Sequence, residues 1–174
     1  RLKLDAKGFD VGGDAALNGI PVRAAWRQEF APTPVMARYT VAATIDERQR
    51  ETLGLPIADY LRGPTAAEVT VDSDGKGSFR VAGNFKLDAS TMALDVIDWR
   101  KPAGVPGQAS YSAKWEGRGP LQVERASLQA GDLKAQGSAV FDDGALTQAD
   151  IRDLEYAGNV FGMMPHPERN SEKL

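Results

Sequence analysis

Apolar and polar residues alternate along most of this 174-residue chain. In the clearest stretch every second residue is apolar or glycine, namely Phe79, Val81, Gly83, Phe85 and Leu87. The same period of two recurs in residues 20–26, 39–45, 67–71, 109–115 and 133–141. Because successive side chains of a strand point to opposite faces, each stretch predicts a strand with one apolar and one polar face. This pattern is typical of an antiparallel sheet that is covered on one side only.

Glycine-rich and aspartate-rich segments separate these stretches, as in residues 72–77 (DSDGKG), 116–120, 130–132 and 142–144. Gly and Asp tolerate the backbone angles that tight hairpins require. The connections are short, so we expect sequential strands to pair as a meander. DSDGKG also resembles the start of a calcium loop, but the further ligands and the closing Glu are missing, and we predict a turn there and no metal site.

Residues 46–53 (DERQRETL) interrupt the alternation with a run of helix-forming residues. Asp46 can cap the amino terminus of a helix, and Gly54 can end it. We therefore predict one short helix, packed at one end or edge of the sheet.

The parity of the apolar residues slips between Leu121 and Ala130. Leu121 and Val123 are odd-numbered, whereas Ala126, Leu128 and Ala130 are even-numbered. A β-bulge near 124–125 would return these residues to one face. The predicted fold class is all-β with one short helix, a twisted antiparallel meander sheet that forms an open groove.

The apolar positions mix large residues with very small ones, as where Phe79 and Phe85 flank Gly83. A close-packed core fills its volume throughout, so small residues on this face would leave space for a guest molecule. The alternation equally fits the core of an ordinary sandwich or barrel, and the pattern leaves that alternative open. Trp26, Trp99 and Trp115 fit ligand contact as well as core packing, with packing favoured.

The composition of the chain excludes several classes of function. Hydrophobic residues make up 42% of the chain, which favours a folded domain over a disordered one. The formal net charge is −3 and no basic stripe occurs, which argues against nucleic acid as a partner. Cysteine is absent, which excludes disulfides and thiolate chemistry.

The first residues already have the pattern of the middle of a strand, so we expect the chain to be a piece of a longer protein. We expect a β-domain in residues 1–154 and an atypical, partly disordered tail in residues 155–174.

Five stretches between residue 38 and about residue 154 resemble the AsmA-like superfamily of bacterial envelope proteins, most closely its YhdP type. They are residues 38–46 (RYTVAATID) with 48–55, residues 61–71 (LRGPTAAEVTV), residues 85–94 (FKLDASTMAL), residues 99–104 (WRKPAG), and the hairpins of 128–144. The resemblance covers about two thirds of the chain, and its motifs are short.

The resemblance implies a bridge-like periplasmic protein, anchored in the inner membrane through the remainder of a longer parent chain, whose sheet conducts phospholipids or other acyl-chain lipids toward the outer membrane. Membrane contact would then occur only through the parent, and the family implies no enzyme activity and no cofactor. The implied lipid-groove residues are Tyr39, Val41, Ile45, Val69, Val71, Phe79, Val81, Phe85, Leu87, Tyr111, Trp115, Leu133 and Phe141.

Residues 158–169 (GNVFGMMPHPER) depart from that family and resemble the glutaminase part of phosphoribosylformylglycinamidine synthase. In that family, His166 and Glu168 would serve with a Cys nucleophile. No Cys is present, so the resemblance predicts an inactive remnant rather than a glutaminase. Three hypotheses follow: a lipid-binding groove, a scaffolding β-domain of the envelope without ligand, and an inactive amidotransferase remnant.

Overall fold

The computed structural model describes residues 1–156 and the backbone of residues 159–162. Within these residues the chain forms fourteen strands and one α-helix. The strands are Leu2–Leu4 (β1), Gly8–Leu17 (β2), Ile20–Glu29 (β3), Ala37–Ile45 (β4), Leu61–Arg62 (β5), Thr65–Ser73 (β6), Ser78–Lys86 (β7), Thr91–Leu94 (β8), Trp99–Lys101 (β9), Gly107–Glu116 (β10), Leu121–Ala130 (β11), Leu133–Asp142 (β12), Ala145–Tyr156 (β13) and Asn159–Gly162 (β14). The helix is Glu47–Thr52 (α1), and a 3₁₀ turn follows β8 at Asp95–Ile97.

Eleven strands form one antiparallel sheet in the order β1-β2-β3-β4-β6-β7-β10-β11-β12-β13-β14. Strands that are neighbours in the sheet also follow one another along the chain, apart from the short strands inserted at two of the connections. The sheet stays open and does not close into a barrel. The predicted fold class, an all-β open meander with one short helix, is therefore confirmed. Among the described residues no helix is long and apolar enough to span a bilayer.

The predicted turns form for the expected chemical reasons. Asp143 and Gly144 both have positive φ (48° and 78°) and make the two-residue turn between β12 and β13. In DSDGKG, the Asp74 carboxylate accepts hydrogen bonds from the backbone N–H groups of Lys76 (2.7 Å) and Ser78 (3.0 Å). These bonds hold the pKa of Asp74 below its usual value. The segment is a hairpin turn whose carboxylate is used internally.

The predicted bulge is present in β11. Val123 pairs with Ala139 of β12, and the next pair along the two strands is Ala126 with Gly137. Two residues of β11, Glu124 and Arg125, therefore occupy the space of one on β12. The bulge returns the apolar residues on both sides of it to a single face.

Helix α1 begins at Asp46 with a complete capping box. The Asp46 carboxylate accepts from the backbone N–H of Gln49 (2.8 Å), and the Gln49 side chain accepts from the backbone N–H of Asp46 (2.9 Å). Gly54 follows the helix with φ of +78°. Leu53 packs against the buried cluster of Ile20, Val22 and Ile45, which places the helix at one end of the sheet as predicted.

A second sheet, in the order β5-β8-β9, was not predicted. Its strands have two, four and three residues, too short to show a period of two. Strand β5 lies in the β4–β6 connection, and β8 and β9 lie in the β7–β10 connection. In a meander these two connections leave the sheet at the same end. We call α1, β5, β8, the 3₁₀ turn and β9 together the cap.

The core lies between the cap and one end of the large sheet. One cluster joins Ile20, Val22 and Ile45 to Leu53. The other joins Trp99 of β9 to the fully buried Ala130 and Leu133 of β11 and β12. The indole Nε1–H of Trp99 also donates to the Asp132 carboxylate across 2.8 Å. The cap therefore covers the apolar face at this end and leaves the far end of that face open.

Candidate functional site

An unbroken row of apolar residues crosses the large sheet from β1 to β13. Each member lies directly opposite the next on the neighbouring strand, in the order Leu2, Val11, Trp26, Tyr39, Val71, Val81, Ala113, Val123, Ala139 and Ala149. Strands are spaced about 4.8 Å apart, so ten strands make the row about 43 Å long. No member of the row belongs to the clusters under the cap. We call this set the apolar row.

Aromatic side chains stack on this face. The rings of Trp26 and Tyr39 lie 5.7 Å apart and nearly parallel, and those of Phe79 and Trp115 lie 5.4 Å apart. Trp26, Tyr39 and Trp115 nevertheless keep 38%, 39% and 42% of their surface exposed. These rings therefore offer apolar surface that the described chain leaves uncovered.

The structure places all thirteen predicted groove residues on the same face as the apolar row. Three of them do not face open space. Ile45 is 8% exposed in the cluster that Leu53 covers, Leu87 is 3% exposed next to Lys101, and Leu133 is 0% exposed in the cluster with Trp99. These three residues therefore offer no open surface to a lipid, because the cap, which the sequence pattern does not reveal, covers them.

The small residues do not all leave empty space. A methyl group added at Gly83 would overlap the ring of Tyr111, which lies across this glycine. Burial against its neighbours raises the pKa of the Tyr111 phenol. At Gly137 an added methyl group would meet the backbone of Asp150 instead. At these two positions small size permits close packing, not a vacancy for a guest.

A recess of about 920 Å³ lies on the opposite, polar face. Two rows of side chains line it, each crossing the same six strands. The first row is Ala42, Glu68, Asn84, Ser110, Ser127 and Gln136, and the second is Thr44, Ala66, Lys86, Gln108, Gln129 and Lys134. The recess makes the molecular surface concave on this side, behind the cap, across six neighbouring strands. We call it the polar recess.

The polar recess is nearly balanced in charge. Lys134 pairs with Glu155 at 3.2 Å, which leaves Lys86 and Glu68 as opposite charges in the lining. Ser110 and Ser127 share a hydrogen bond of 2.8 Å, and Gln108 donates to Gln129 at 3.5 Å. The sequence does not identify these residues, because alternation marks them only as solvent-facing and the concavity appears only in the assembled sheet.

Residues 1–156 and 159–162 contain no group of three or more His, Asp or Glu side chains placed to hold a metal ion. His166 and Glu168, the residues of the glutaminase resemblance, lie outside the described residues.

The fold and these two faces define an open β-meander with a capped end. Comparisons of the chain with protein-family models, characterised proteins and solved structures find no match. The two faces themselves therefore carry the evidence for function.

Proposed function

We propose that this chain is a lipid-binding segment of a bridge-like bacterial envelope protein, and that acyl chains lie along the apolar row. The observation that carries the proposal is the continuity of that row, which has no charged residue and no polar residue other than the Tyr39 and Trp26 ring heteroatoms across ten strands. The resemblance to AsmA-like proteins of the YhdP type points in the same direction.

The energetics favour this ligand. Each methylene group removed from water contributes about 0.8 kcal/mol, so a chain lying across several strands gains several kcal/mol. Because the row runs perpendicular to the strands, an acyl chain can slide from one strand to the next without returning to water. Such a path needs a continuous apolar surface and no catalytic group.

The cap gives this path one boundary. It fills the apolar face where Trp99 packs on Leu133, so lipid is confined to the part of the face beyond it. The remainder of a longer parent chain would supply the membrane anchor and the other boundary, with the segment located in the periplasm.

The test inserts a charge into the path. Val81 lies in the middle of the apolar row, and Ala82, its neighbour on β7, points to the polar face. We expect Val81→Glu to lower photocrosslinking of a phosphatidylethanolamine with a diazirine in its acyl chain by about tenfold, because burying a carboxylate beside the chain costs free energy. Ala82→Glu adds the same charge to the opposite face and should leave crosslinking unchanged.

Lipid analysis of the purified 174-residue chain supplies a second measurement. Phospholipid should co-purify with the wild type and with Ala82→Glu and be depleted in Val81→Glu, while thermal unfolding checks that each variant is folded. Absence of lipid in the wild type, or equal crosslinking in both variants, would favour the alternative of a scaffolding domain whose apolar face is covered by the rest of the parent.

A further inference from the structure

We infer that the polar recess is a second binding site, and that its ligand is a neutral glycan chain. The site lies on the opposite face from the proposed lipid path. Glycan binding at the recess can therefore be present or absent whether or not lipid binds to the apolar row. The shape of the recess, its polar lining and its charge support this ligand.

The recess presents hydrogen-bonding side chains at regular intervals. Four of its residues carry primary amides, namely Asn84, Gln108, Gln129 and Gln136. Each amide offers two donors and one acceptor oxygen, and Ser110 and Ser127 add hydroxyl groups that both donate and accept. A glycan hydroxyl likewise donates and accepts, so it can satisfy either part of an amide.

Geometry favours an extended polymer over a compact ligand. The lining crosses six strands at about 4.8 Å each, which gives a length of about 24 Å. A sugar ring with its glycosidic oxygen advances a chain by a similar distance. Successive sugars can therefore meet successive strands.

Other ligand classes fit less well. An acyl chain cannot hydrogen-bond to these amides and would displace the water that does so, which costs free energy. A polyanion needs a surplus of positive charge, whereas Lys134 is paired with Glu155 and Lys86 shares the lining with Glu68. A peptide that adds as a strand pairs with backbone groups at a sheet edge, and the strands lining the recess are interior strands whose backbone groups already pair on both sides.

The lining also indicates how tightly a glycan should bind. The ring of Phe85 stacks with Tyr111, which lies on the apolar face, so the recess has no aromatic platform for a sugar. Binding then depends on hydrogen bonds, each of which contributes modestly in water. We therefore expect weak affinity that increases with the number of sugars.

The experiment is a titration of the full chain followed by ¹H–¹⁵N NMR, with cello-, malto- and chitohexaose as probes and dextran sulfate as the polyanion. At least one neutral hexasaccharide should shift the side-chain amide signals of Asn84, Gln108, Gln129 and Gln136, and the matching disaccharide should shift them less. The double variant Asn84→Ala/Gln136→Ala should weaken this binding by about tenfold, since it removes two hydrogen-bonding groups.

Gln148→Ala is the matched control. Gln148 is an exposed amide that lies opposite Val140, on the same face of the sheet but outside the recess. It should bind as the wild type does, and unchanged melting temperatures should show that every variant is folded. Shifts produced by dextran sulfate alone, shifts unaffected by the double variant, or no shift with any neutral hexasaccharide would overturn the inference.

Discussion

At the scale of single residues, the contact between Gly83 and Tyr111 organises the middle of the apolar face. Gly83 lies opposite Tyr111 across β7 and β10, and the tyrosine ring occupies the position where a side chain at 83 would stand. The same ring stacks with Phe85 at 6.0 Å. Glycine in the interior of a strand normally weakens a sheet. Here the aromatic ring of the neighbouring strand covers the glycine.

This contact predicts opposite outcomes for two Gly→Ala substitutions on the same face. Gly83→Ala should lower the free energy of unfolding by about 1–2 kcal/mol, because the new methyl group must displace the Tyr111 ring. Gly13→Ala in β2 meets nothing within 4 Å and should be neutral or stabilising by up to about 1 kcal/mol. Urea unfolding of both variants measures the difference, and equal effects would contradict the packing described.

A second residue-scale prediction concerns pH. The Arg38 guanidinium donates two hydrogen bonds to Asp72, of 2.6 and 2.7 Å, and holds the pKa of that carboxyl below its usual value. The folded state therefore favours the ionised form, so the stabilisation is present above the unfolded pKa of about 3.9 and is lost as the pH falls through the lower folded pKa.

The pair is partly exposed, so its contribution should be modest, about 0.5 kcal/mol. We expect Asp72→Asn to be less stable than the wild type at pH 6 and the difference to shrink toward zero as the pH falls below 3. Urea unfolding at a series of pH values tests this. A difference between the two proteins that stays constant with pH would show that the carboxylate is not responsible.

At the scale of elements, buried cations attach the cap to the sheet. Arg50 of α1 is 3% exposed and donates to the carbonyls of Ile45, Leu61 and Gly63 and to the hydroxyl of Thr65. Lys101 of β9 is 2% exposed and donates to the carbonyls of Leu87 and Ser90, both at 2.8 Å. Burial lowers the pKa of Lys101 below its usual value. These side chains donate hydrogen bonds to buried carbonyls of the cap and of the adjoining ends of the sheet, where backbone groups need partners.

Replacing Arg50 should therefore release the cap. Arg50→Met keeps much of the side-chain volume but removes the donor of four hydrogen bonds, and we expect a loss of about 3 kcal/mol or more. Hydrogen exchange should quicken in α1 and β5 before the rest of the chain. Arg48→Met is the control, since Arg48 lies on the same helix but is exposed, and it should change stability by less than about 0.5 kcal/mol. Similar losses in both variants would show that the hydrogen bonds of Arg50 do not attach the cap to the sheet.

At the scale of the whole molecule, the sheet separates two surfaces of different chemistry. One face carries the apolar row and stacked aromatic rings, and the other carries amides, hydroxyls and ion pairs. Successive residues of one strand point to different faces, so substitutions at Val81 and Ala82 change different surfaces although the two residues are adjacent. Val81→Glu should therefore leave the glycan-induced NMR shifts unchanged, and Asn84→Ala/Gln136→Ala should leave lipid crosslinking unchanged.

The sequence by itself determined the features that depend on neighbours along the chain. Alternation at 79–87 fixed the strand and its two faces, Asp46 and Gly54 bounded the helix, and the parity change between Val123 and Ala126 required a bulge. Each of these follows from local geometry, since a strand alternates its side chains and a capping residue bonds within one turn.

Only the tertiary structure decided which parts of the apolar face stay open and where the concavity lies. The cap strands are too short to carry a pattern, and their position over Leu87 and Leu133 depends on two distant connections meeting at one end of the sheet. The polar recess likewise needs six strands in register and a common curvature. Curvature and coverage arise from the summed twist and packing of many strands, which no single segment encodes.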